Sequence, residues 1–184
     1  MERCRIIFSG SGGQGIVTAS VIFSEAAVIH EGLNAVQSQS YGAEARGGIV
    51  RADVIISDTE INFPKVIQPN ILVCLTQEAY DQFSTMIRPG GLLLTDSYYV
   101  KQEKKVDARQ VELDIYKNVT AKIGRPIVFN ICMLGALIGL TKIVKQESVM
   151  KVLENRVPAD LLNSNKQAME LGLKLAMSRN EKTI

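Results

Sequence analysis

Residues Cys4 to Gly15 read CRIIFSGSGGQG, a short apolar run that flows directly into a glycine-rich turn. Ile16, Val17, Ala19, Val21, Ile22, Phe23 and Ala26 follow at once, and their spacing puts most of them on one side of a helix. The expected local structure is strand, tight turn, helix. Gly10, Gly12 and Gly15 keep a G-x-G-x-x-G spacing, and Gly13 adds another residue without a side chain. Glycine permits positive φ and close approach of another molecule to the backbone, and the first amides of the following helix have no intrahelical partner. Two readings follow. Either the turn holds an anionic group, most naturally a phosphate or pyrophosphate, on those amides and the helix dipole, or it only allows a tight reversal and binds nothing.

The next part of the chain bears on what such an anion would be. Gly32 should stop the first helix near His30, and a second strand should open at Asn34 with NAVQS. A dinucleotide-binding domain places Asp or Glu at the end of that strand, roughly 20 residues past the glycines, to hold the ribose hydroxyls. Here Val36, Gln37, Ser38 and Gln39 stand instead, with no acid. This counts against a nicotinamide-dependent oxidoreductase. The segment from Ser38 to Gly48, SQSYGAEARGG, reads as a long polar loop, a kind of connection that often carries function. Arg46, followed by Gly47 and Gly48, could take phosphate or carboxylate on its planar fork, or could pair with Glu44 or a partner chain.

With 184 residues, 46% hydrophobic and 22% charged, residues 1–184 are expected to form one globular domain, with 178–184 as a frayed tail. A net charge of +2 gives no sequence-wide field for nucleic acid or an anionic membrane, and Lys101 to Lys105 reads as a solvated turn. No apolar run approaches the roughly 18 residues that span a bilayer. Cys4, Cys74 and Cys132 lack metal-cluster spacing, and each lies in an apolar run; buried reduced thiols and a cytoplasmic location are expected. His30, the only histidine, is read as a cap for helix-end carbonyls.

Further along, Ile49–Ser57 and Ile61–Phe63 read as a hairpin joined by Asp58, Thr59 and Glu60, with Arg51 and Asp53 on the more exposed face of its first strand. Ile71–Leu75 reads as a buried parallel strand, Thr76 as the cap of a helix over Gln77–Ile87, and LLLT before Asp96 as another strand. Val106 to Ile115 fits a strand followed by a short helix, or mostly helix. Beyond Pro126 the pattern is helical. Gly135 and Gly139 suggest close helix packing, Asn130 is the polar residue to watch, and Ser148–Asn155 and Asn163–Met177 are amphipathic helices. The sum is α/β: a three-layer, doubly wound, mostly parallel Rossmann-like sheet with a β-hairpin and C-terminal helices.

Several blocks taken together carry a more specific likeness. GSGGQG at Gly10–Gly15, QSYGAEARGG at Gln39–Gly48, R-x-x-V-x-I-S at Arg51–Ser57, LTQEAYD at Leu75–Asp81, RPGGLL at Arg88–Leu93 and NICMLGAL at Asn130–Leu137 resemble the gamma subunit of 2-oxoacid:ferredoxin oxidoreductases, with the 2-oxoglutarate branch the nearest. That resemblance implies a subunit of an enzyme that oxidatively decarboxylates a 2-oxoacid to its acyl-CoA and reduces ferredoxin or a similar acceptor. Thiamine diphosphate and iron–sulfur clusters are then expected on alpha, beta and delta partner chains. This chain would have no catalytic residue of its own and would help to form a coenzyme A pocket and close the active site. Gly10, Gly12, Gly13, Gln14 and Gly15 would face the coenzyme A phosphates, and Ser40, Tyr41, Arg46, Gly47 and Gly48 would complete the wall. Single-chain relatives carry consecutive lysines where this loop has Glu44, Ala45 and Arg46. A homodimer through a face normally covered by partners is a further expectation, as is a purely structural subunit with a vacant turn.

Overall fold

In a computed structural model of the chain, residues 3–42 and 48–181 are described. The elements in order are β1 (Cys4–Ser11), α1 (Ile16–Glu25) with a π-helical extension over Ala26–His30, β2 (Asn34–Tyr41), β3 (Ile49–Ser57), β4 (Ile71–Cys74) and α2 (Gln77–Phe83). Then come β5 (Gly91–Asp96), β6 (Ala108–Leu113), α3 (Ile115–Lys122), α4 (Phe129–Thr141), α5 (Gln146–Arg156) and α6 (Ala159–Glu181). The strands form one sheet in the order β2-β3-β1-β4-β5-β6. The pairs β1–β4, β4–β5 and β5–β6 are parallel, whereas β3 runs antiparallel to both β1 and β2. The sheet is thus mixed but mostly parallel, with helices on both faces, as the strand–helix alternation implied.

Residue alternation assigns the faces. Ile6, Phe8, Val54 and Val73 join the core shared with α1 and α4, and Ile7, Ile55, Leu72 and Leu93 join the smaller core under α2. Gly32, at φ 67, follows the π-helical turn and releases the chain into β2. Thr76 caps α2 by accepting the Ala79 N–H at 3.2 Å. Gly135, Gly139 and Gly172 bring α4 and α6 together. A Cβ on Gly172 would lie 2.0 Å from the Cys132 carbonyl oxygen, and one on Gly135 would lie 2.4 Å from that of Met169. The close packing expected of the two α4 glycines is therefore backbone against backbone at Gly135, whereas a Cβ on Gly139 would lie 2.8 Å from the Ala176 side chain.

Four expectations need correction. The hairpin is β2–β3, and Ile61–Phe63 is not a strand. Both edges of β3 are already taken by β1 and β2, so no ladder remains for a further segment. Ser38 to Tyr41 is not loop but the second half of β2, since main-chain pairing with β3 overrides its polar side chains. Arg51 and Asp53 are not on an exposed face. Asp53 is buried and accepts both Nε (2.6 Å) and Nη2 (3.0 Å) of Arg51, whose guanidinium also lies over the Phe83 ring. The same pair holds the connector after β3: Arg51 donates to the Val66 carbonyl at 2.5 Å and Asp53 accepts the Val66 N–H at 3.1 Å. The helix read over 77–87 stops at Phe83 and tightens into a 3-10 turn over Ser84–Met86. Between Val106 and Ile115, the strand-then-helix alternative is the one adopted.

Two outcomes check this packing. Gly172→Ala should destabilise the chain by about 3 kcal/mol in urea unfolding, because neither backbone can yield. Glu31 joins α1 to α5 by accepting from Ser148 Oγ (2.6 Å) and Lys145 N (3.0 Å), and the Ser148 hydroxyl foremost holds its carboxyl below the usual 4.5. A depressed folded-state value stabilises above the unfolded value and is lost as pH falls through it. The stability gap between wild type and Glu31→Gln should therefore stay flat at neutral pH and shrink below about pH 4.5.

Candidate functional site

The site is built on the exit of β1. Gly10 is buried in the strand, and a side chain there would strike the Gln14 carboxamide, with Oε1 2.4 Å from its Cβ. Gln14 folds back over the turn, accepting the Ser11 N–H at 2.9 Å and donating from Nε2 to the Leu75 carbonyl at 3.0 Å. Both ends of its side chain are therefore occupied in holding β1 to the end of β4. Gly15 is the N-cap of α1, at φ 72, in the left-handed region that strains any residue with a Cβ. Asn130, buried at the start of α4, donates to the Gly15 carbonyl at 3.3 Å and accepts the Ile131 N–H at 3.0 Å. It is a hydrogen-bonded buried amide whose partner is the turn itself.

Gly12 and Gly13 form the exposed crest, where an added Cβ would meet nothing within 4 Å. No side chain caps α1, and its first turn carries no acid. The crest and the uncapped amides below it thus present donors and the positive end of a helix dipole to one patch of solvent, an arrangement suited to an anion.

The remaining predicted site residues divide. Ser40, Tyr41 and Gly48 lie at the same end of the sheet, where Gly10 pairs with Val50 and Val50 with Tyr41. They border a hollow of about 510 Å³ on the α2 side, together with Arg51, Glu78 and Phe83. Gly13 and Gly15 border a separate cleft of about 260 Å³ on the other face, with Asn130, Ile127 and Arg156. Among the described residues, the two groups share an edge but not a concavity. Arg46 and Gly47 lie outside the described residues. Arg156, whose guanidinium pairs with Glu25, was not foreseen as a wall of the cleft, since nothing near it in sequence marks it. Glu78, which also borders the hollow on the α2 side, lies within the LTQEAYD block.

Burial pushes the thiols up: Cys4 to about 11, Cys74 to about 12 despite the Ser9 hydroxyl, and Cys132 to about 12. All three stay protonated and poorly nucleophilic at neutral pH. Burial also raises the carboxyl of Asp96 against the N–H groups of Tyr116 (2.8 Å) and Tyr98 (3.0 Å), which it holds at the end of β5. Among the described residues, no group of three or more His, Cys, Asp or Glu is placed to hold a metal ion, and no helix is long and apolar enough to cross a membrane.

A family model described as pyruvate ferredoxin/flavodoxin oxidoreductase matches residues 5–175. The 2-oxoglutarate synthase subunit KorC of Methanocaldococcus jannaschii is 45% identical over 176 residues, covering 95% of this chain and 94% of that protein. The crystal structure of a keto/oxoacid ferredoxin oxidoreductase gamma subunit from Geobacter sulfurreducens superposes with a TM-score of 0.88 at 40% identity, covering 97% of this chain and 98% of that one. The fold also recurs within a longer chain. The 2-oxoglutarate:ferredoxin oxidoreductase from Magnetococcus marinus, solved with 2-oxoglutarate, coenzyme A and succinyl-CoA bound, matches with a TM-score of 0.87 at 21% identity, over 97% of this chain and 32% of that one.

The packing at Gly15 yields a direct check. A Cβ there would sit 2.5 Å from Asn130 Nδ2, so Gly15→Ala should cost about 2–3 kcal/mol in chemical denaturation, from steric overlap plus positive-φ strain. In an Asn130→Ala background the overlaps with Nδ2 and Cγ are removed and only the strain and a tight 3.0 Å contact with the remaining Cβ are left, so the same substitution should cost about 1 kcal/mol less than in the wild type.

Proposed function

The chain belongs to the pyruvate ferredoxin/flavodoxin oxidoreductase family, and on that premise we propose that it is the gamma subunit of a 2-oxoglutarate:ferredoxin oxidoreductase. The complex converts the 2-oxoacid oxidatively to its acyl-CoA, carbon dioxide and reduced ferredoxin. The names and near-complete coverage of the KorC and gamma-subunit relatives support this reading. Alpha and beta chains carry the thiamine diphosphate, beta or delta chains carry the iron–sulfur clusters, and the assembly works in the cytoplasm. Thiamine diphosphate supplies the decarboxylation chemistry when bound to those partners. The present chain, acting as one domain, binds and orients coenzyme A and closes one side of the site.

The coenzyme A role rests on the uncapped first turn of α1 beneath the bare crest of Gly12 and Gly13. Phosphate oxygens there accept N–H bonds, and the helix dipole favours their charge. The missing ribose-reading acid after β2 fits a ligand held by its phosphates rather than by its ribose. Tyr41, 65% exposed, and Gly48 stand at the same end of the sheet. With Ser40, Arg46 and Gly47 they complete the wall in this reading. Gln14 contributes as a brace, because its amide is engaged inside the protein.

Gly12 is the position at which ligand binding can be separated from folding, since a side chain there meets open space. In the assembled complex, Gly12→Leu should raise the KM for coenzyme A by about tenfold or more while leaving assembly and melting temperature unchanged. An unchanged KM would favour a structural subunit with a vacant turn.

A further inference from the structure

At the opposite end of the sheet from the glycine turn, the connectors leading into β4 and β5 meet the start of β1. They enclose an open hollow of about 710 Å³ bordered by Arg5, Lys65 and Arg88, by Phe63 and Ile67 and, among the described residues, by no acid. Among the described residues, none of the three cationic heads has a hydrogen bond or an ion pair. Phe63 is 55% exposed and Ile67 69%, so two large apolar side chains stand in water beside three unpaired positive charges.

The backbone beneath this surface is fixed. Arg5 N donates to Asn70 Oδ1 at 2.9 Å, and Asn70 N donates back to the Arg5 carbonyl at 2.7 Å. Arg88 N donates to the Pro69 carbonyl at 3.1 Å. Between Lys65 and Ile67, Val66 is buried and clamped on both its N–H and its carbonyl by the Asp53–Arg51 pair. The backbone that carries the three cations and two apolar groups is therefore set before anything binds, which lowers the backbone part of the ordering cost of association.

Resting on the reading of the chain as one subunit of an assembly, we propose that this hollow is a docking site for an acidic segment of another subunit. Charge complementarity selects the partner's chemistry: carboxylates to meet Arg5, Lys65 and Arg88, and an apolar side chain to cover Phe63 and Ile67. A small anion is a poorer occupant. Lys65 and Arg88 are solvent-exposed, no helix terminus faces the hollow among its lining residues, and solvated cations hold a lone anion weakly. Covering Phe63 and Ile67 removes apolar area from water, a gain that only a macromolecular partner supplies in full. Relatives that carry this fold as a separate subunit, and one that carries it as 32% of a longer chain, are consistent with a surface that adjoins other protein.

The test uses the co-expressed complex, captured through a tag on a partner subunit, with wild type, Lys65→Glu/Arg88→Glu and Phe63→Ala compared. Both charged positions are exposed, so the melting temperature of the isolated chain should not move. The double variant should bind at least about tenfold more weakly at low ionic strength and lose most of the salt dependence seen with wild type, and Phe63→Ala should weaken binding at every salt concentration. Wild-type assembly by the double variant would overturn the proposal. A raised KM for coenzyme A in such an intact complex would mark the hollow as a small-anion site, and a raised KM for ferredoxin alone would mark it as an acceptor site. Failure of the wild-type chain to be captured by any partner would instead overturn the subunit reading, and the docking site with it.

Discussion

The structure depends on one steric constraint, the absence of room for any side chain at Gly10 and Gly15. On one flank the Gln14 carboxamide occupies the space that a Cβ on Gly10 would need, and on the other the Asn130 amide occupies the space beside Gly15. These two amides brace the turn against β4 and α4, through Leu75 and through the Gly15 carbonyl. The crest between them is left free. Rigid support below and bare backbone above are what an anion site requires, because donors already in place lose little entropy when a ligand arrives.

The second organising feature is the reversed strand. By running antiparallel between β1 and β2, β3 lets a hairpin deliver Tyr41 and Gly48 to the same edge as the glycine turn. It also places Arg51 and Asp53 where their bidentate pair can hold Val66. That clamp orders the connector at the far end of the sheet. One strand thus serves both ends of the molecule: its first residues adjoin the proposed coenzyme A edge, and its middle residues stabilise the basic hollow.

Elements whose signals are local were legible in the sequence. The apolar run before the glycines, the Thr76 cap, the continuous ILVC strand and the Pro-Gly-Gly stop each carry their cause within a few residues. The failures came where a distant partner decides. Ser38 to Tyr41 is polar enough to read as loop and becomes strand only because β3 supplies the hydrogen bonds. Ile61–Phe63 has strand-like composition but finds no open edge. Arg51 and Asp53 alternate like surface residues, yet their charges neutralise each other and so can be largely buried under α2. In the site, the glycines were legible and their braces were not. Gln14 read as a ligand contact rather than a support, and Arg156 comes to the cleft from a helix far along the chain.

The central claim is that the first amides of α1 meet the phosphates of coenzyme A. Hydrogen–deuterium exchange of the assembled complex, followed over residues 12–18 with and without coenzyme A, addresses it directly. Slower exchange confined to that stretch and to Ser40, Tyr41 and Gly48 at the same end of the sheet on adding coenzyme A is the result the account predicts. Unchanged exchange there, under conditions in which the complex turns over coenzyme A, would contradict it.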